Sequence, residues 1–140
     1  MPKRVMDNGV DWKNCPALDI REYIYDMPTV MAAADIVIGR AGSATCNEIG
    51  ASGTPCILIP SPNVTNNHQE KNARVLEAAG GAVVVLEKDC TPGMLYELIC
   101  SLLADEDRRR EMSRKLHTMV RLDSAERICD IVEQLTQSEK

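Results

Sequence analysis

Short apolar runs alternate along the chain with longer segments in which apolar positions recur every three or four residues. Asp35-Ile36-Val37-Ile38, Pro55-Cys56-Ile57-Leu58-Ile59-Pro60 and Ala82 to Leu86 are of the first kind, aliphatic as in strands buried in a parallel sheet. Ile20 to Tyr25 alternates apolar and polar positions and predicts a further strand. Helices are predicted between and after these runs. Asp26-Met27-Pro28 starts a short one that reaches Ala34, with proline suited to the first turn. Another spans about Asn67 to Ala79, turns Ala73, Leu76 and Ala79 to the sheet, and stops at Gly80-Gly81. Thr91-Pro92 opens a helix carrying Leu95, Leu98, Ile99 and Leu102 at helical spacing. Asp105 caps the next, which carries Met112, Leu116 and Met119, and Ser124 opens the last, with Ile128, Ile131, Val132 and Leu135 on one face. Strands alternating with helices in units of roughly 20 residues mean an α/β fold, a parallel sheet of about four strands with flanking helices. Residues 1–19 read as an irregular arm, with a turn at Asp7-Asn8-Gly9 and Trp12 on its own, before one domain at 20–140.

Composition narrows the function. At 140 residues the chain suits one domain with a moderate core, and with no Phe, one Trp and three Tyr that core must be aliphatic. A net charge of -5 argues against nucleic acid as a partner. No apolar run approaches the roughly 20 residues that span a bilayer, and the amino terminus lacks the apolar segment of a signal peptide, so a cytoplasmic chain is expected. The six cysteines are scattered without a C-x-x-C pair, which predicts neither a disulfide framework nor a metal site. Cys56, Cys100 and Cys129 fall on apolar faces as small hydrophobes, while His117 and the run Arg108-Arg109-Arg110 read as solvated.

Candidate chemistry gathers in Ala34 to Glu48, ADIVIGRAGSATCNE. A strand is broken by Gly39-Arg40-Ala41-Gly42, and Ser43-Ala44-Thr45 then offers a side-chain oxygen to cap a helix through Glu48. Backbone N–H groups and the positive end of a helix dipole at the carboxyl edge of a sheet make a place for an anion, most commonly phosphate. A second unit repeats the design, its helix opening at Asn66-Asn67-His68-Gln69. Together they would build a cleft lined by Gly42, Ser43, Thr45, Glu48, His68 and Gln69. Local alternatives stay open. Glu48 fits a capping box with Thr45 as well as a ligand, and Asn67 pairs with Glu70 by the same logic. His68 fits a solvent-facing helix start, and Arg40 fits a tie to a loop carbonyl as well as to phosphate.

The stretch GRAGSATCNEIGASGTPCILIPSPNVTNNHQEKNARVLEAAGGAVVV, residues 39–85, resembles the MurG family of UDP-N-acetylglucosamine transferases. The pieces that carry it are R-A-G-x-x-T-x-x-E at Arg40 to Glu48, G-x-P at Gly53 to Pro55, I-P-S-P-N-V-T-N-N-H-Q at Ile59 to Gln69 and N-A-R at Asn72 to Arg74. The resemblance continues more loosely from Tyr23 to the end of the chain. It implies a Rossmann-like fold, the later part of the carboxyl-terminal donor-binding domain of a GT-B glycosyltransferase, with the acceptor domain absent from this sequence. The implied activity is inverting transfer of N-acetylglucosamine from UDP-GlcNAc to lipid I, without a metal or other cofactor, the general base lying in the absent half. The resemblance places Glu48 on the ribose hydroxyls, Ser43, Ala44 and Thr45 on the diphosphate, and His68 and Gln69 on the sugar. It sets Ile24 against uracil with Met27 nearby, and Arg40 at the phosphate or the turn. The family works at the inner face of the cell membrane. Alternatives are a non-catalytic UDP-sugar-binding module and the donor half of a split enzyme. An open sheet edge in so short a domain predicts a homo-oligomer or a complementing chain.

Overall fold

A computed structural model describes residues 15–119 and 124–137. The turn at 7–9 and Trp12 lie outside them. Chain order is α1 (Met27–Ala33), β1 (Val37–Gly39), α2 (Ser43–Ser52), β2 (Cys56–Leu58), α3 (His68–Ala78), β3 (Ala82–Val84), α4 (Pro92–Ala104), α5 (Glu106–Met119) and α6 (Ser124–Gln137), with 3-10 turns at Thr65–Asn67 and Glu87–Asp89. The strands pair in parallel in the order β1-β2-β3, with Ile57 facing Ile38 on one side and Val83 on the other.

The sheet is buried on both faces, and side-chain alternation along β2 divides the core. Cys56 and Leu58 join Met31, Ile49, Ala73, Leu76 and Leu116 on the face covered by α1, α2 and α3. Ile57 points the other way, among Leu102, Met112 and the half-buried Leu95, Leu98 and Ile99 of α4. All three residues of β2 are fully buried, which a central strand between two helical layers requires. A buried threonine adds a cross-link: Thr54 Oγ1 donates to the Met31 carbonyl at 2.7 Å, tying α1 to the start of β2.

Helix α5 closes the amino-terminal edge of the sheet. A Cβ on Gly81, just before β3, would lie 2.4 Å from Leu116 Cδ2, and one on Gly53, before β2, would lie 2.1 Å from the His117 ring. Small residues at these positions let the helix come down onto the strand entries. Gly53 also ends α2 in the left-handed conformation at φ 65°. His117, expected in solvent, packs against Gly53 although its side chain stays exposed. With α5 across one edge, the carboxyl ends of the strands are left open.

Three expectations need correction. Residues 20–25 are not a strand: among the described residues they have no neighbour in the sheet, and Leu18, Ile20, Tyr23 and Tyr25 are all exposed, so alternation had no ladder to join. The sheet among the described residues therefore has three strands. Arg109 is not merely solvated, since it donates to the Leu102 carbonyl at 2.6 Å and also to that of Leu103, capping the end of α4. Cys100 and Cys129 are exposed, unlike buried Cys56. On α6, Ile128, Ile131, Val132 and Leu135 are each more than half exposed. The caps at Thr91 and Asp105 form as expected, accepting from the Met94 N–H at 3.3 Å and the Arg108 N–H at 2.9 Å.

Candidate functional site

Strand β1 ends at Gly39, and three residues later α2 begins with Gly42 as its N-cap. No side chain caps this helix, contrary to the cap expected from Ser43 or Thr45. Both of those residues lie inside the first turn, so their hydroxyls are too far along to act as the cap. The amides of Ser43, Ala44 and Thr45 are thus left without a capping oxygen, and the first main-chain bond of the helix runs from Cys46 N to the Gly42 carbonyl at 2.9 Å. Gly42 has φ -65° and ψ 153°, a conformation open to any residue. A Cβ there would meet only Thr45 Oγ1, at 3.9 Å. Neither backbone nor packing demands glycine here. What a side chain would do is enter the space in front of the first turn.

The loop carrying these amides is braced from two sides. Asn72 of α3 donates through Nδ2 to the carbonyl of fully buried Ala41 at 3.2 Å. Arg40 donates through Nη1 to the Ile59 carbonyl at 3.0 Å, and the same nitrogen is paired with the Glu87 carboxylate. Arg40 therefore ties down a loop carbonyl, one of its two open readings. Asn72 was visible in the N-A-R motif without a role, and nothing in local spacing pointed to Glu87, which is 47 residues from Arg40.

Glu48 sits one turn into α2, exposed, and its carboxylate makes no hydrogen bond or ion pair with another described residue. The capping box with Thr45 does not form, because Thr45 is already helical. Cys46 lies beside it, and burial pushes its thiol up, so it stays a protonated thiol rather than a nucleophile.

At the start of α3, Asn66 and Asn67 both adopt left-handed backbone, with φ 56° and 51°. Asparagine tolerates this better than most residues. Asn67 caps no amide and instead donates through Nδ2 to Glu70 at 2.6 Å. His68 Nδ1 donates to the Thr65 carbonyl at 2.9 Å, and Gln69 Oε1 accepts the Ser61 N–H at 2.9 Å. Both residues thus spend one polar atom on their own loop. Gln69 keeps its amide N–H₂, and His68 keeps Nε2 as an acceptor.

Ile24 is half-buried just before α1, and Met27, the first residue of α1, packs on the core edge beside α2. Tyr23 and Tyr25 flank Ile24 with their rings edge to face, 4.7 Å apart. The structure thus sets Gly42, Ser43, Ala44, Thr45 and Glu48 on one helix start, and His68 and Gln69 on the next at the same sheet edge. A recess of about 330 Å³ lies farther along that edge, lined by Pro60, Ser61, Asn67, Glu70, Leu86 and Glu87 among others. Pro60, Ser61 and Asn67 belong to the Ile59–Gln69 motif, but none of the residues expected to contact a ligand lines this recess. An anion on a helix start is held by exposed amides and needs no deep pocket. Among the described residues no three His, Cys, Asp or Glu side chains gather as metal ligands, and no helix is long and apolar enough to cross a membrane.

Residues 3–132 match the model of the glycosyltransferase family 28 C-terminal domain. The chain is 46% identical over 123 residues to the UDP-N-acetylglucosamine--N-acetylmuramyl-(pentapeptide) pyrophosphoryl-undecaprenol N-acetylglucosamine transferase of Acetivibrio thermocellus, covering 88% of this chain and 33% of that protein. It is 48% identical over 120 residues to the enzyme of the same name from Caldanaerobacter subterraneus, covering 86% and 33%. Its backbone is similar to the crystal structure of Acinetobacter baumannii MurG, with a TM-score of 0.76 and 26% identity over 86% of this chain and 35% of that one. The chain spans about a third of the length of the relatives it matches.

Proposed function

The chain belongs to the family of glycosyltransferase family 28 C-terminal domains, and from that premise we propose that it is the UDP-GlcNAc-binding portion of a MurG-like transferase. In this reading the diphosphate rests on the amides of Ser43, Ala44 and Thr45 at the start of α2, and the Thr45 hydroxyl joins them. Glu48 accepts from both ribose hydroxyls, a fit of two acceptor oxygens to a diol. Ile24 and Met27 meet the uracil, and the free amide of Gln69 and the ring of His68 reach the sugar hydroxyls. Arg40 stays on the loop and shapes it.

One observation carries the reading. Helix α2 opens on a glycine that neither its backbone angles nor its surroundings require, and its first turn has no side-chain cap. A ligand that must approach the backbone closely supplies the missing reason. Transfer to a lipid-linked acceptor at the inner face of the membrane is proposed for the whole protein, in which the acceptor hydroxyl attacks the anomeric carbon. The helix start then stabilises the charge that develops on the departing UDP. The edge of β1, where Ile38 is 43% exposed, is the place for a further strand from a second copy or a complementing chain.

Titration calorimetry with UDP-GlcNAc, UDP, ADP and GDP tests the donor site. Selective binding of the uridine nucleotides, lost in Glu48→Ala and unchanged by EDTA, is the expected result. Equal weak binding of every nucleotide, or an undiminished affinity in Glu48→Ala, overturns the assignment.

A further inference from the structure

The geometry points to Glu87 as a positioning residue for the diphosphate turn, acting through Arg40. The inference rests on the donor site proposed above. One guanidinium nitrogen, Arg40 Nη1, joins the carboxyl ends of all three strands. Arg40 follows β1, Ile59, whose carbonyl it reaches at 3.0 Å, follows β2, and Glu87, whose carboxylate it meets, opens the 3-10 turn after β3. The next residue, Ala41, is fully buried and held by Asn72 at 3.2 Å, and the one after it is the N-cap of α2. The dipeptide that aims the helix start is thus fastened from the β2–β3 side by Arg40 and from α3 by Asn72.

Without Glu87, the guanidinium would keep only a neutral carbonyl as partner, and its charge would be free to move. Arg40 and Glu87 are each about half exposed, so their pairing contributes little to global stability. Its consequence is local, in the direction of the Ser43–Thr45 amides. Small displacements of groups that bind through geometry are expensive in affinity.

The test uses the full 140-residue chain as Glu87→Gln, Arg40→Gln and the double variant, titrated with UDP and with uridine. Each single variant is expected to raise the Kd for UDP by about three- to tenfold, the double no more than either single. Uridine, which lacks the diphosphate, should bind each variant as it binds the parent. Amide resonances of Ser43 to Thr45 should shift in ligand-free Glu87→Gln. A UDP affinity that is unchanged or tighter in Glu87→Gln overturns the inference, the tighter result meaning that Glu87 competes with the ligand for Arg40. Equal loss of uridine binding, or additive losses in the double variant, also overturn it. If the parent binds no UDP, the donor-site reading fails, and the amide resonances decide alone: shifted, they support the brace, and unmoved, they refute it.

Discussion

Replacing Gly42 with aspartate should stabilise the fold and abolish the site in one step. Aspartate is among the best N-cap residues, and relative to glycine the cap is worth a few tenths of a kcal/mol. Its charge at the positive end of the α2 dipole adds about 0.3–1 kcal/mol. The position has φ -65° and ψ 153°, and the nearest atom to a new Cβ is 3.9 Å away, so no strain or clash offsets the gain. For a chain of this length roughly 1 kcal/mol corresponds to about 3 °C in Tm, and a rise of about 2–4 °C is expected. Binding should go the other way. The new carboxylate takes the amides that the diphosphate needs and places like charge beside it. At about 4 Å that repulsion costs on the order of 1–4 kcal/mol between bulk-water and protein-surface dielectrics. The Kd for UDP should rise at least about tenfold. Differential scanning fluorimetry gives the first quantity and calorimetry the second. The opposed signs matter, because a misfolded variant would lose both stability and binding. A variant that gains stability and still binds UDP like the parent would refute the placement of the diphosphate at this helix start.

Other substitutions probe what holds the site. Asn72→Ala removes the side-chain donor to the buried Ala41 carbonyl, and should cost about 1–3 kcal/mol by urea unfolding while weakening UDP binding; an unchanged midpoint would show that the contact contributes nothing. Gly81→Ala drives a methyl group into Leu116 and should cost about 1–3 kcal/mol, with part of the loss restored by Leu116→Val in the same chain; a larger loss in the double variant would argue against α5 packing on this glycine. Glu111 is held down to about 2 from 4.5 by the hydrogen bond from Arg114, so its contribution is present in full above about pH 4.5 and fades as pH falls towards 2. The Tm difference between parent and Glu111→Gln should shrink across that window and in high salt, and a difference constant down to pH 3 would contradict the pairing. Burial pushes the Cys56 thiol up to about 12, whereas Cys100 and Cys129 are exposed. A thiol reagent at pH 8 should modify the two exposed cysteines in the folded chain and Cys56 only after denaturant is added, as mass mapping of the labelled peptides would show.

What the sequence made legible was whatever depends on neighbours within a turn or two. The aliphatic runs at Val37, Cys56 and Ala82 became strands, Thr91-Pro92 and Asp105 became helix starts, and Gly80-Gly81 ended α3. Residues 20–25 show where that reasoning stops. Alternation is a property of the segment, but a strand is a property of a pair, and no described strand lies beside it. The amphipathic period of α6 has the same status, since it predicts a helix and leaves open what covers its apolar face. The long-range ties were invisible for a related reason. Arg40 with Ile59 and Glu87, Asn72 with Ala41 and Thr54 with Met31 join residues 19 to 47 positions apart, and no spacing rule links them.

Those ties change how the family's sequence signature should be understood. In R-A-G-x-x-T-x-x-E, Glu48 and the amides after Gly42 are free to meet a ligand, but Arg40 and Ala41 are already engaged with the protein. In N-A-R, Asn72 holds the first motif in place, and Arg74 pairs with Glu70 and Glu77 along its own helix. In G-x-P, Gly53 serves the opposite edge of the sheet by admitting α5. On the proposed donor site, a signature that reads as one binding site therefore divides between residues proposed to touch the nucleotide and residues that aim them. The division follows from the kind of contact involved. A grip made by backbone amides has no side chain of its own to adjust, so its accuracy must come from neighbours that hold the loop. Substitutions in the aiming group should consequently weaken diphosphate binding without touching uridine, while substitutions at Glu48 should weaken both.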